Sequence, residues 1–327
     1  MNRLAGSASL YLRQHASDPV AWWPWCDEAF AEAAARDVPV LLSCGYSACH
    51  WCHVMQRESF ADPGTSALIG DRFVAVKVDR GQRPDIDALY MDYVTATTGH
   101  GGWPMTVFLT PSRLPLLGGT YFPREPAGRL PAFGDVLAEV ARAYAEDRGR
   151  LERTSADSLA FLREMAAPKR AGTIDARLVT GAADAVLQAS DAAHGGFGEG
   201  AKFPRFSLLL FLTAFARLQG DREAAFVTRN ALVTMLRGGI HDHVGGGIFR
   251  YTVDREWAVP HFEKMLCDNA MLLRTLATAH ATEPSEEFAL AAARTAAWLE
   301  REMRLGNGAF ATALAAESGG IERLGQL

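Results

Sequence analysis

Two cysteines three residues apart, set where a short apolar run gives way to a helix-forming stretch, constrain this chain more than any other feature. The stretch is Gly45-Tyr46-Ser47-Ala48-Cys49-His50-Trp51-Cys52-His53-Val54-Met55. The preceding run, Pro39-Val40-Leu41-Leu42-Ser43-Cys44, is bounded by Pro and Gly and has the pattern of a buried parallel strand. Cys49 is therefore expected at a helix N-terminus, where unpaired N–H groups and the helix dipole favour a thiolate, with His50 and His53 adding positive charge when protonated. Cys49 is the expected nucleophile. Cys52, one turn further in and more buried, is the expected resolving thiol, able to attack a mixed disulfide formed on Cys49.

Other chemistries share these residues. Cys49-His50-Trp51-Cys52-His53 also spells C-x-x-C-H, the attachment pattern of a c-type haem. Haem attachment normally accompanies export, whereas the N-terminal residues, with Trp22-Trp23-Pro24-Trp25, lack the order of a signal peptide. A zinc site on Cys49, Cys52 and His53 needs a further ligand, and no second Cys/His pair stands at ordinary spacing. An inert buried pair is the remaining alternative, and it sits poorly with two thiols at one helix start. Redox chemistry is preferred, with no metal and no cofactor expected. Five cysteines in 327 residues are too few, and odd in number, for a structural disulfide framework. A net charge of −5 without blocks of like charge points away from nucleic acid and from an anionic membrane. No apolar run reaches transmembrane length, so the expected compartment is the cytoplasm.

Taken in order, the aromatic lead-in to Pro24 is expected to be ordered but short of regular structure, its tryptophans packing on the first domain. Asp27 is expected to cap a helix to Arg36. After the cysteine helix, which runs towards Phe60, Pro63 and Gly64 read as a break before a short helix at Ser66 to Gly70. Phe73 to Asp79 reads as a second parallel strand, and Pro84 opens a helix carrying Ile86, Leu89, Tyr90 and Tyr93. Beyond Gly101-Gly102-Trp103 come a strand introduced by Pro104, a turn, a strand near Leu116 to Phe122, and a helix with Phe133, Val136, Leu137 and Val140 on one face. This is the thioredoxin order, in which a cis proline lies beside the cysteines; Pro104, supported by Trp103, is the candidate.

The run Leu12 to Trp25, the cysteine stretch with Glu58-Ser59-Phe60, Val78-Asp79-Arg80 with Arg83-Pro84-Asp85-Ile86-Asp87, Gly101-Gly102-Trp103-Pro104 and Gly119-Thr120-Tyr121-Phe122-Pro123 together resemble the spermatogenesis-associated protein 20-like thioredoxin-domain family. That resemblance implies an α/β thioredoxin-like domain followed by an all-α (α/α) toroid like those of N-acylglucosamine epimerases and six-hairpin glycosidases. One departure is Gly81-Gln82, where the family usually carries two glutamates.

The expected domains are residues 1–167, thioredoxin-like with trailing helices, and 174–327, a partial toroid, joined by Pro168-Lys169-Arg170-Ala171-Gly172. Helical spacing runs through Leu151 to Met165, Ile174 to Ala189, Phe206 to Leu218, Glu223 to Leu236, Phe262 to Ala279 and Glu286 to Met303, with no strand between. Gly195-Gly196-Phe197, Gly245-Gly246-Gly247-Ile248-Phe249 and Gly308-Ala309-Phe310 mark a loose repeat in which Phe197, Phe249 and Phe310 are expected to be equivalent. Residues matching family motifs here suggest a carbohydrate-type pocket formed by His241, Asp242, His243, Arg250, His261, Glu263, Lys264 and Asp268; the alternative is that they cap helices and pair internally. His241, His243 and Cys267 depart from the family's usual residues, and two histidines alone make a weak metal site. Leu314-Ala315-Ala316-Glu317-Ser318 carries alanine for the first aspartate of a family run. Family members continue beyond this length, so the toroid is expected to be incomplete and the chain to self-associate through unpartnered apolar faces.

Three functions are carried forward. Thiol–disulfide exchange with a protein disulfide or reductant leads. A carbohydrate epimerase- or isomerase-like activity with a regulatory thioredoxin domain is second, and a non-catalytic interaction module presenting Trp51, Trp103 and the His-rich loop is third.

Overall fold

Ser9 starts the first element by accepting a hydrogen bond from the Leu12 N–H, which caps α1 (Leu10–Gln14). The computed structural model describes residues 1–167, 172, 175–318, 321 and 322. Two compact units divide the chain, Met1–Arg170 and Ala171–Leu327. Four of the five expected linker residues, Pro168 to Ala171, and the expected helix start Ile174 lie outside the described residues.

In the first unit α1 is followed by β1 (Trp23–Pro24), α2 (Asp27–Arg36), β2 (Val40–Gly45), α3 (His50–Met55, continued by a π turn over Gln56–Phe60) and α4 (Pro63–Arg72). Then come β3 (Val74–Asp79), α5 (Pro84–Thr98), β4 (Met105–Leu109), β5 (Pro115–Gly119), α6 (Phe133–Glu146) and α7 (Arg148–Ala166). The sheet order is β1-β3-β2-β4-β5, with β3 parallel to β1 and β2, and β4 antiparallel to β2 and β5.

Two boundaries differ from expectation for local reasons. Pro63 does not break a helix but opens α4 at its first turn, where a missing N–H costs nothing, while Asp62 accepts from the Thr65 N–H. Asp27 is the first helical residue rather than the cap; Cys26 holds the cap position without a side-chain hydrogen bond.

Period-two alternation gives the sheet two buried faces. One cluster joins Val40, Leu42, Cys44, Val74, Val76, Val78, Met105, Val107 and Leu109 to residues of α2 and α5. The other joins Leu41, Ala75 and Phe108 to Tyr11, Leu12, Trp22, Cys49, Cys52, Met55, Phe60, Phe133 and Leu137. On this second face the register sets Thr106 beside Ser43 and Ser43 beside Lys77. All three are buried, a polar row inside an apolar core.

The second unit is built from α8 (Ala176–Gln188), α9 (Phe206–Gln219), α10 (Arg222–Arg237), α11 (Leu266–Thr282) and α12 (Glu286–Trp298, continued by a π turn over Leu299–Met303). Helices α9 and α10 pair, α11 and α12 pair, and α9 packs against α11. Their core holds Leu209, Leu212, Leu232, Met235, Leu272, Leu276 and Phe288. The sequence expectation of no strands is corrected in the loops, where Tyr251–Thr252 (β6) pairs with Pro260–His261 (β7), and Lys264–Met265 (β8) with Ala313–Leu314 (β9). Runs of two residues are too short to show a period. Among the described residues no helix is long and apolar enough to cross a membrane.

Candidate functional site

Strand β2 ends at Gly45, and the turn after it delivers Cys49 to the N-cap of α3, where its sulfur accepts from the Cys52 N–H at 3.2 Å. That hydrogen bond favours negative charge on the Cys49 sulfur once the pair is reduced. Here Cys49 and Cys52 are joined in a disulfide, and both are 2 % exposed. Trp51 between them is 45 % exposed and its ring lies 5.0 Å from that of Tyr121, while His50 is buried beside it with a ring separation of 5.5 Å. His53 points back into the turn, its Nε2 2.9 Å from the Ser47 carbonyl oxygen.

The Trp103–Pro104 bond is cis. Because β4 pairs with β2 so that Met105 faces Cys44, this bond lies across from the start of the cysteine turn, and the Trp103 ring is 6.0 Å from Tyr46. Trp103 is fixed from below. Its indole N–H donates to Asp87 Oδ1 at 2.7 Å, Arg80 stacks 3.8 Å over its ring, and Arg80 Nε reaches Asp87 Oδ2 at 3.2 Å. The Cys44 thiol also donates to Asp87, and burial, followed by that carboxylate, pushes the Cys44 thiol well up.

The structure thus brings Cys49, Cys52, His50, Trp51, Trp103 and Pro104 to one end of the sheet. Sequence reading missed three residues behind them: Tyr11 from α1, Ser43 from β2 and Lys77 from β3. Lys77 Nζ donates to Ser43 Oγ at 3.2 Å and lies 4.4 Å over the Trp22 ring and 4.3 Å over the Phe60 ring. Burial pulls its ammonium down from 10.5 to about 7. A lysine in the middle of a strand whose other residues before Asp79 are valine and alanine was the only available signal.

The candidate pocket residues of the helical unit separate into several groups. Asp242 and Lys264 pair at 2.6 Å, and Lys264 also donates to the Gly246 carbonyl at 2.8 Å. Arg250 and Glu263 pair at 2.7 Å with His261 Nε2 3.8 Å from the same carboxylate oxygen, and His261 stacks on Tyr251, which stacks on Phe203. His243 lies 3.0 Å from the Gly238 carbonyl and 5.0 Å, ring to ring, from the buried His241. Asp268 is at the start of α11 beside the exposed Cys267.

The first group belongs to a repeated loop. Asp191 and Asp242 each accept two backbone N–H bonds from the residues two and three ahead, and each meets a lysine at 2.6 Å, Lys202 and Lys264. Each lysine also bonds a glycine carbonyl and lies over a tryptophan, Trp257 or Trp298. The same rings press on Gly196 and Gly247, whose φ values are +74° and +80°. A Cβ on Gly196 would stand 2.6 Å from the Trp257 ring and one on Gly247 2.8 Å from the Trp298 ring, so only glycine fits at either place. Bridges Ser190 to Phe197, His241 to Ile248 and Arg304 to Phe310 mark three equivalent places. Ile248, not Phe249, is therefore the counterpart of Phe197.

Comparison with known proteins agrees with this architecture. Residues 1–163 match the family model Thioredox_DsbH, described as "Protein of unknown function, DUF255". The chain is 43 % identical over 285 residues to the uncharacterized protein B0495.5 of Caenorhabditis elegans, covering 85 % of this chain and 39 % of that one. It is 39 % identical over 329 residues to spermatogenesis-associated protein 20 of Homo sapiens, covering 97 % of this chain and 41 % of the human protein. The chain therefore spans about two fifths of the length of these relatives. Among solved structures, cellobiose 2-epimerase from Spirochaeta thermophila is similar at 18 % identity, covering 44 % of this chain and 42 % of that one, with a TM-score of 0.36. A thioredoxin-like α/β unit followed by paired helices, with this level of identity along nearly the whole chain, places the protein in the spermatogenesis-associated protein 20-like thioredoxin-domain family.

Proposed function

We propose that the first unit exchanges thiols and disulfides through Cys49 and Cys52. The observation that carries this reading is the Cys49–Cys52 bond at the start of α3, one sulfur taking the Cys52 N–H, beside the Trp103–Pro104 segment at the end of β4. In the oxidising direction a substrate thiolate attacks the pair; in the reducing direction the Cys49 thiolate attacks a substrate disulfide and Cys52 displaces the product. The exposed Trp51 with Tyr121, and Trp103 with Tyr46, form the aromatic border that a protein substrate's chain would meet. In the helical unit, ion pairing inside the loops accounts for Asp242, Lys264, Arg250 and Glu263, so no sugar chemistry is assigned to them.

Trapping tests the proposal. After reduction, Cys52→Ser is expected to hold a mixed disulfide with a model peptide disulfide at Cys49, whereas Cys49→Ser holds none, and the wild-type pair equilibrates reversibly with a glutathione buffer. Equal, slow alkylation of both thiols in the reduced protein, with no trapped adduct, would refute thiol–disulfide exchange.

A further inference from the structure

One guanidinium beside the cysteine turn is held in place without being used up. Strand β3 ends at Asp79, and alternation sends the side chains of Asp79 and Arg80 to opposite faces of the sheet. Asp79 accepts from the Ser9 hydroxyl at the start of α1 and from the Gly81 N–H, whereas Arg80 meets Asp87 of α5. The Arg80 N–H donates to the Gly45 carbonyl at 2.9 Å, which ties its backbone to the residue that opens the cysteine turn. Its guanidinium is then fixed on two sides. Nε lies 3.2 Å from Asp87 Oδ2, and the central carbon lies 3.8 Å over the Trp103 ring and 5.6 Å from the Tyr46 ring.

Asp87 gives Arg80 a single-point contact, because its other oxygen takes the Trp103 indole N–H at 2.7 Å and the Cys44 thiol at 3.4 Å. Among the described residues no hydrogen bond engages Nη1 or Nη2 of Arg80, and the side chain is 30 % exposed, so the fork is open to solutes. Its neighbours differ. Arg83 is closed by two bonds to Asp85, and Arg13 donates to the Ser7 and Ala8 carbonyls. The two residues after Arg80, Gly81 and Gln82, bring no charge to compensate it.

We infer that Arg80 receives a carboxylate carried by the thiol or disulfide substrate, close in its chain to the reacting sulfur. This deepens the thiol–disulfide reading above and rests on it. The Cys49 N–H bonds the Tyr46 carbonyl at 3.1 Å, so the two residues face each other across one turn, within about 7 Å. Arg80 stands beside Tyr46, and an extended chain covers roughly 3.3 Å per residue, which puts the carboxylate about two or three residues from the sulfur that meets Cys49. A planar fork binds a carboxylate through two parallel N–H···O bonds, stronger than neutral ones. Stacking on Trp103 and the Asp87 contact fix the guanidinium beforehand, so little side-chain freedom is lost on binding. In the reducing direction Arg80 also offsets the repulsion between an acidic substrate and the Cys49 thiolate. Two sources carry such a group: a small acidic thiol peptide of the glutathione kind, and a protein segment with Asp or Glu near its cysteine.

Matched substrates test this. Reduced Cys52→Ser chain, which stops at the mixed disulfide on Cys49, is mixed with oxidised glutathione or its ethyl ester, and separately with disulfides of a short peptide bearing Glu or Gln two residues from the cysteine. Acid-quenched samples give the rate of adduct formation at Cys49 by mass spectrometry. The acid-bearing member of at least one pair is expected to react about tenfold faster than its neutral match, a preference that shrinks at high salt. Arg80→Gln is expected to remove the preference, and Arg80→Lys to keep part of it, since a point charge lacks the fork. Both members of a pair meet the same Cys49, so a general loss of folding or reactivity cancels in their ratio. The pair that responds identifies the source of the carboxylate. Equal rates within both pairs, or a preference that Arg80→Gln leaves intact, overturns the inference. Absence of any adduct at Cys49 with all four disulfides instead overturns thiol–disulfide exchange itself.

Discussion

Replacing Asp191 by alanine removes the carboxylate on which one whole loop of the helical unit is built. Its side chain is 2 % exposed and accepts from Lys202 at 2.6 Å, from Arg255 at 2.7 and 3.1 Å, and from the N–H groups of Ala193 and His194 at 3.1 Å each. Lys202 is fully buried, and without Asp191 it keeps only the Gly195 carbonyl and the face of Trp257. Breaking a buried pair in this way costs about 3–5 kcal/mol, because an uncompensated charge stays behind. Lys202→Met is expected to cost less, roughly 1–2 kcal/mol, since Asp191 keeps Arg255 and both backbone donors. The double variant should then be more stable than Asp191→Ala alone, with a coupling of ~2 kcal/mol. Urea titration of the full chain, read by hydrogen exchange in peptides covering residues 176–262, measures all three. An Asp191→Ala loss below about 1 kcal/mol, or strict additivity of the two single changes, would show that the pair is not the loop's anchor.

Two further outcomes follow from the first unit. Burial holds the His15 imidazole down at about 4 and the Lys77 ammonium at about 7, so through these two groups the unfolded chain binds more protons than the folded one between pH 4 and 6.5 and again from pH 7 to about 9, above which the raised Cys44 thiol opposes the Lys77 contribution. Stability of this unit should therefore rise across both windows, by about 3 kcal/mol in the acidic one, and Lys77→Met should abolish the alkaline rise in a pH series of urea midpoints. Asp87→Ala is expected to destabilise the unit by about 2–3 kcal/mol, because it strands the Trp103 indole N–H and the half-buried Arg80; unchanged stability and unchanged indole exchange would remove Asp87 from the support of Trp103.

What the sequence shows of this fold follows from the range of each signal. The strands β2 and β3 are predominantly apolar runs, and the cysteine motif and Trp103-Pro104 are contiguous residues, so pattern alone locates them. Strand β1 is invisible, since Trp23–Pro24 is two residues long and contains the least strand-like residue type; it is a strand only because β3 pairs with it. The group behind the site is assembled by register. Tyr11, Ser43, Cys52 and Lys77 come from four elements, and nothing local to any of them announces the others. The repeated loop of the helical unit is hidden differently: Asp191 reaches a lysine 11 residues on and Asp242 one 22 residues on, so a search at fixed spacing aligns the glycines but not the ion pairs. The carbohydrate-type grouping drew together residues that are neighbours in sequence, whereas the structure gives Asp242 and Lys264 to this loop and Arg250, Glu263 and His261 to another cluster.

Three buried lysines show how one residue type can serve two ends. Lys202, Lys264 and Lys77 all lie against aromatic rings, and each ring supplies a modest attraction for a cation. Lys202 and Lys264 each have a carboxylate at 2.6 Å and a glycine carbonyl within 2.8 Å, charge-assisted contacts that fix the side chain. Such lysines tie a loop together. Lys77 has a hydroxyl at 3.2 Å and, among the described residues, no carboxylate at ion-pair distance. A hydroxyl can accept from an ammonium or donate to an amine, so the Ser43 contact survives loss of the proton where a carboxylate contact would not. The difference lies in the partner, and it is the lysine behind the cysteines that has the partner indifferent to charge.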